Sequence, residues 1–183
     1  MVSIIAPQNY NYKDYDVKVF LAGGITNCAT WQQEVIDLLN KDEAQLKNLV
    51  IFNPRRENFP INDPCAAYEQ IKWEYKMLEQ CDIFSMYFSA GESDQPICMY
   101  ELGRNILRMQ MRFPADWEKR IIISVEDEYK RKQDVFIQVG FATNDMIIAN
   151  STSDHDILVK KHASDIKNTY RNLVYKWTEY EML

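Results

Sequence analysis

Apolar positions along this chain fall into short runs and spaced stripes. Residues 17–22 (VKVFLA) form an apolar run that ends at Gly23-Gly24, and 49–53 (LVIFN) form a second that stops at Pro54. Residues 82–88 (DIFSMYF) and 120–125 (RIIISV) repeat the pattern. Such runs, bounded by Gly, Pro or polar loops, predict buried strands. Between them the apolar residues recur at helical spacing. This predicts helices over about 31–40, where Thr30 is placed as a cap, over 66–80, over about 96–112, and over roughly 154–175. The apolar segments 135–139 and 146–149 fit strand or turn equally. Strands alternating with helices indicate βα units and a mostly parallel sheet covered on both faces. In such a sheet a ligand sits beyond the carboxyl ends of the strands. That rule converges four segments on one cleft: AGGIT (22–26), NPRRENF (53–59), SAGESD (89–94) and the residues after Val125. No repeat or linker interrupts the chain, so a single domain over 1–183 is expected.

Composition narrows the picture. With 46% apolar and 26% charged residues, the 183-residue chain can bury a substantial core. A net charge of −6 and no basic block argue against binding a nucleic-acid polymer. No apolar run is long enough to span a membrane, and the opening MVSIIAPQNYNYKDYD lacks the charged start and apolar core of a signal peptide. Cys28, Cys65, Cys81 and Cys98 form no CxxC pair, so neither a disulfide framework nor a metal site is expected. Three of them lie in apolar or helical surroundings and read as small buried hydrophobes. The chain reads as cytoplasmic.

Several residues within the predicted cleft carry chemistry. Gly23 and Gly24 form a turn that lets a ligand approach the backbone, although the same turn serves any strand end. Arg55 and Arg56 offer guanidinium groups to an anion, or else are solvated charges paired with Glu57 and its neighbours. A helical wheel over 66–80 buries Tyr68, Ile71, Tyr75 and Leu78 and leaves Glu69, Lys72, Lys76 and Glu79 wet. Glu74 falls at the edge of the apolar stripe, where a carboxylate is costly unless it is paired or used. Asp94 precedes Gln95-Pro96, which suits either a helix cap or a carboxylate at the cleft mouth. On the 96–112 wheel, Cys98, Leu102, Ile106, Met109 and Phe113 face inward. Glu101 shares the opposite face with Arg104, Asn105, Arg108 and Arg112, so periodicity makes it an exposed partner of Arg104. The first turns of this helix should nevertheless border the cleft. His155 and His162, seven apart on one helix, have no catalytic partner nearby and read as packing or surface residues. Tyr170, Tyr175, Trp177 and Tyr180 either pack onto the domain or line a subunit interface.

The ordered set KVFLAGGI (18–25), Trp31, VIFNPRR (50–56), QIKWE (70–74), CDIF (81–84) and YELG (100–103) resembles the nucleoside 2-deoxyribosyltransferase-like family. The resemblance spans about 17–150. It implies a flavodoxin-like three-layer α/β fold, homo-oligomers, and cleavage of the N-glycosidic bond of 2′-deoxynucleosides with transfer of the sugar to another nucleobase. The family nucleophile, the Glu of ELG, corresponds to Glu101. The carboxylate that holds the sugar hydroxyls corresponds to Glu74, where relatives often carry Asp. An Asp shortly before ELG contacts the base, and Asp94 is the nearest match. Asn144 is a possible counterpart of an Asn lent by a neighbouring subunit.

The chemistry has a physical rationale. Glycosidic cleavage builds positive charge on the sugar, which a carboxylate below the anomeric carbon stabilises and traps. Glu101 must be ionised for this, with Arg104 nearby to favour its charge, while Asp94 would have to be protonated to supply the leaving base. No metal or redox cofactor is required. Two alternatives stand beside this expectation. One is a hydrolase acting on 2′-deoxynucleoside 5′-monophosphates, with Gly23, Gly24, Arg55 and Arg56 around the phosphate. The other is a non-catalytic nucleotide-binding subunit in which Glu101 merely pairs with Arg104.

Overall fold

The computed structural model describes residues 1–180 apart from 10, 12, 14, 15, 43–45, 144 and 145, and describes 171–180 by backbone alone. In chain order the elements are β1 (Val2–Ile5), β2 (Val17–Gly23), α1 (Trp31–Asn40), β3 (Leu49–Asn53), α2 (Ala66–Gln80), β4 (Ile83–Phe88), α3 (Pro96–Arg112), a 3-10 turn (Trp117–Arg120), β5 (Ile121–Val125), α4 (Lys132–Ala142), β6 (Ile148–Ala149) and α5 (Thr152–Tyr180). Among the described residues the strands form one six-stranded sheet in the order β1-β3-β2-β4-β5-β6, and every pairing is parallel. Leaving aside the edge strand β1, the chain winds outward from β2 to β3 and then crosses to β4, β5 and β6. This is the doubly wound, flavodoxin-like order, and its direction reverses between β2 and β4.

Burial on both faces follows from the strand sequences. All of β3, β4 and β5 is buried, as expected for inner parallel strands built from Ile, Val, Phe and Leu. One core layer joins Phe20, Phe52, Phe84 and Met86 to Trp73 and Met77 of α2, Leu102 and Met109 of α3, and Val135 and Val139 of α4. The opposite layer joins Val19, Leu21, Ile51 and Tyr87 to Trp31, Val35 and Leu39 of α1 and Val159 and Ile166 of α5. Below the sheet, Lys18 and Asp82 form a buried ion pair at 2.8 Å, and Asp82 also accepts the Lys18 amide at 2.9 Å. Among the described residues no helix is long and apolar enough to cross a membrane.

The structure departs from the sequence pattern at several points. β1 is an edge strand of four residues, too short to stand out from the polar stretch that follows. Residues 135–139 lie within α4, and 146–149 end in the two-residue β6. Thr30 precedes α1 but makes no side-chain capping bond; its carbonyl instead accepts the Gln33 and Glu34 amides. Cys81 and Cys98 are buried, but Cys28 is partly exposed and Cys65 fully so. The α2 wheel is rotated: Ala66, Trp73, Met77 and Leu78 face the core, while Tyr68, Ile71 and Tyr75 are 58–68% exposed. The helix carries two apolar stripes, and Trp73 decides which one is buried. Its indole donates to the Gln8 carbonyl at 2.7 Å and its ring meets Phe20 and Phe52 at 6.2 and 6.3 Å. On α3, Asn105 is fully buried whereas Ile106 and Phe113 are only partly covered. The side chains of Tyr175, Trp177 and Tyr180 lie outside the described residues.

His155, for which a packing or a surface role is expected, is fully packed. Its ring shares 2.6 Å hydrogen bonds with Ser85 of β4 and Ser124 of β5 and stands edge-on to Trp31 and Tyr87, which stack on each other at 4.8 Å. Burial holds its pKa down at about 3, so the fold keeps the neutral ring. The unfolded chain therefore binds the extra proton, and this contribution to stability is complete above the ordinary value of 6.5 and declines as pH falls towards 3. Urea denaturation of the wild type and His155→Asn at pH 7, 6 and 5 should show the stability gap between them shrinking by up to about 1.4 kcal/mol per pH unit.

Candidate functional site

The reversal between β2 and β4 leaves a crevice at the carboxyl end of the sheet, and a cavity of about 270 Å³ occupies it. Its wall includes Phe20, Ala22, Gly23 and Gly24 from β2 and its turn, Ile25 and Thr26 beyond, Pro54 after β3, Glu74 on α2, and Ser93 through Cys98 (Asp94 excepted) with Glu101 at the start of α3. Gly23, Gly24, Glu74 and Glu101 are thus brought together from three separate βα units.

Backbone conformation and space require glycine at 23, and side-chain crowding disfavours a larger residue at 24. Gly23 sits at φ 149°, and a Cβ there would collide with the Tyr87 carbonyl and the Trp31 ring. A Cβ on Gly24 would collide with the Cys28 sulfur and lie 2.6 Å from the Gln95 amide oxygen. The turn is anchored from behind by Trp31, whose indole donates to the Gly24 carbonyl at 3.1 Å.

Two carboxyls face the cavity from different helices. Gln70, one turn before Glu74 on α2, donates to Glu74 at 2.8 Å and to the Pro54 carbonyl at 2.7 Å. It ties the acid to the end of β3. Burial raises the Glu74 pKa against the favourable Gln70 contact. The Glu101 pKa is pushed up to about 7, first by burial and then by the negative charge of Glu74, with Arg104 opposing. Arg104 is otherwise engaged. Its guanidinium donates to Glu79 at 2.6 Å and lies 4.7 Å from the Tyr75 ring centroid. The expected Glu101–Arg104 surface pair is therefore replaced by a Glu101–Glu74 neighbourhood, because the first turns of α3, through Pro96, Ile97, Cys98 and Glu101, line the cavity. Cys98 shares that wall, but burial and the charge of Glu101 push its thiol up to about 12, which keeps it protonated and poorly nucleophilic.

Other candidates lie outside the lining. The Asp94 side chain is 64% exposed and faces Lys130 at 3.6 Å, so neither burial nor a like-charged neighbour surrounds it. Arg55 is spent on backbone carbonyls, and Arg56 lies 5.4 Å from the Phe59 ring centroid. Asn144 lies outside the described residues. After Val125, Glu126 accepts from the Tyr87 hydroxyl at 2.7 Å and the Ala90 amide at 2.5 Å and so fixes the β4 loop without lining the cavity. Gln70 and Gln95 were not among the candidates. Gln70 could have been found as the residue four before Glu74, and Gln95 as the residue before a helix-starting Pro. Gln95 is buried in a left-handed conformation (φ 48°) and donates to the Ser89 carbonyl at 2.7 Å. Among the described residues no cluster of three or more His, Cys, Asp or Glu could hold a metal ion.

A doubly wound parallel sheet with a carboxylate-lined cavity at its switch point defines the class as a flavodoxin-like α/β protein. The family model for nucleoside 2-deoxyribosyltransferase-like proteins matches residues 16–113, more than half of the chain, and the chain belongs to that family. The matched span contains the whole cavity wall. The family is associated with glycosyl transfer or hydrolysis. No protein of curated function matches the chain.

A carboxyl held at about 7 in the fold, against an ordinary 4.5, favours the folded state while it is protonated. That contribution is complete below 4.5 and is lost as pH rises through 7. Glu101→Gln, a neutral isostere, should therefore be more stable than the wild type at pH 8.5, by on the order of 1–3 kcal/mol, and nearly equal to it at pH 5, read by chemical denaturation.

Proposed function

We propose that this chain is a nucleoside 2-deoxyribosyltransferase that works through a covalent sugar–enzyme intermediate. The observation that carries the reading is the pair of carboxyls, Glu74 and Glu101, facing one cavity at the switch point. Glu101, as the carboxylate, attacks the anomeric carbon of a 2′-deoxynucleoside. The glycosidic C–N bond breaks, its electron pair goes to the base nitrogen, and the departing base takes up a proton from solvent water. A second nucleobase then attacks the same carbon from the face the first one left, gives up its N–H proton to water, and Glu101 departs as carboxylate. Glu74, oriented by Gln70, accepts hydrogen bonds from the sugar hydroxyls. Its negative charge also favours the developing cation.

The lining supports a nucleoside over its 5′-monophosphate. Its charged side chains are the two carboxyls, and Arg55 and Arg56 stand outside it. A phosphate dianion placed beside two acids would be repelled, with no cation among the described lining residues to offset it. Free thiols at all four cysteines support a reducing, cytoplasmic setting. A homo-oligomer completes the proposal. Tyr68, Ile71 and Tyr75 on α2 and Tyr100, Leu107 and Met111 on α3 are 58–77% exposed, and Arg104 bridges the two helices. An outward apolar surface of this kind suits contact with a second copy.

Chromatographic base-release assays over several deoxynucleosides test the chemistry. Glu101→Ala and Glu101→Gln should lose at least about a hundredfold in kcat, and Glu74→Ala should mainly raise KM. Full activity in both Glu101 variants would remove the nucleophile, and faster release from the 5′-monophosphate than from the nucleoside would select the hydrolase. Sedimentation velocity should show an oligomer that Tyr75→Glu with Leu107→Glu shifts towards monomer. An unchanged sedimentation coefficient would place the subunit contact elsewhere.

A further inference from the structure

The segment between Gly24 and α1 forms the cavity wall opposite α3 through Ile25 and Thr26, yet it has little burial of its own. Thr26, Asn27, Ala29 and Thr30 are exposed, and Asn27 sits in the left-handed region at φ 56°. Its carbonyls converge on one side chain. The Arg55 guanidinium donates to the Ala29 carbonyl at 2.6 Å, the Ile25 carbonyl at 2.7 Å and the Cys28 carbonyl at 2.9 Å, with the Gln32 side-chain oxygen at 3.4 Å. The Arg55 amide in turn donates to Asn53 at 2.9 Å, which fixes the base of the side chain at the end of β3. The three carbonyls and the Gln32 oxygen are divided between the Nη1 and Nη2 ends of the guanidinium, a span that the single nitrogen of Lys cannot reproduce.

We infer that Arg55 is a positioning residue: it tethers the Ile25–Ala29 turn to β3 and so preforms the cavity wall against which substrate binds. The kinetic consequence rests on the proposed glycosyl transfer, whereas the tether itself does not. A turn whose carbonyls are already paired need not be ordered when substrate arrives, and that preorganisation appears as affinity. Arg55 lies outside the lining that holds Glu74 and Glu101, so its loss should weaken binding with little effect on the chemical step.

The experiment compares wild type, Arg55→Lys and Arg55→Ala by hydrogen exchange and by deoxynucleoside kinetics. Amides 25–30 should exchange at least about tenfold faster in Arg55→Ala and Arg55→Lys, with the β2 and β4 amides unchanged. KM should rise about tenfold with kcat within about threefold, and millimolar guanidinium should lower the KM of Arg55→Ala but not that of the wild type. Unchanged exchange in 25–30, or exchange accelerated across the whole sheet, overturns the tether. A fall in kcat at constant KM, or a loss confined to 5′-monophosphate substrates, overturns the positioning role in favour of direct contact. If the wild type releases no base, the functional reading falls and the exchange data alone decide the tether.

Discussion

Everything in this molecule turns on the proximity of two carboxyls in a partly dry cavity. Glu101 is pushed up to about 7 because burial and the charge of Glu74 act in the same direction and outweigh the opposing charge of Arg104, which is itself paired with Glu79. Such an arrangement costs stability, and a fold retains it where the acids act on a ligand. On the proposed glycosyl-transfer reading, a substrate that develops positive charge between them relieves both penalties at once, so the physics that raises the two acids also makes them complementary to an oxocarbenium-like sugar.

The rest of the structure supplies rigidity to that pair. Glu74 is aimed by Gln70, which also holds the carbonyl at the end of β3. The double-glycine turn is wedged against Trp31, and Trp31 stacks on Tyr87, which donates to Glu126. His155 closes the set from α5 by bonding Ser85 and Ser124 beneath the same aromatic pair. The cavity floor is thus connected through hydrogen bonds and ring contacts to both faces of the sheet. This is the kind of support that keeps reactive groups in register.

The sequence made the central architecture legible because inner parallel strands are apolar along their whole length and end at Gly or Pro. Val17–Gly23 and Leu49–Asn53 are clear for that reason. Four-residue β1 and two-residue β6 offer no such contrast. The switch-point rule placed Gly23 and Gly24 at the cleft, and the misfit of Glu74 on its helix pointed the same way. Glu101 was identified through its ELG context, since its wheel position read as solvent-facing. A wheel assumes that a helix borders only sheet and water, and the first turns of α3 border a cavity. Arg55 shows a second blind spot. A guanidinium that binds carbonyls from a segment 26 to 30 residues away looks, in sequence, identical to one that binds phosphate.

The central claim is that the Glu101 carboxylate forms a bond to the sugar. Incubation with a 2′-deoxy-2′-fluoroarabinosyl nucleoside, whose fluorine slows breakdown of a glycosyl–enzyme ester, followed by mass spectrometry of the tryptic peptide 77–104, tests it directly. The account predicts a mass increase of one fluorosugar, localised by fragmentation to Glu101 and absent from Glu101→Gln. Release of base with the label on another residue, or with Glu101→Gln still labelled, would contradict it.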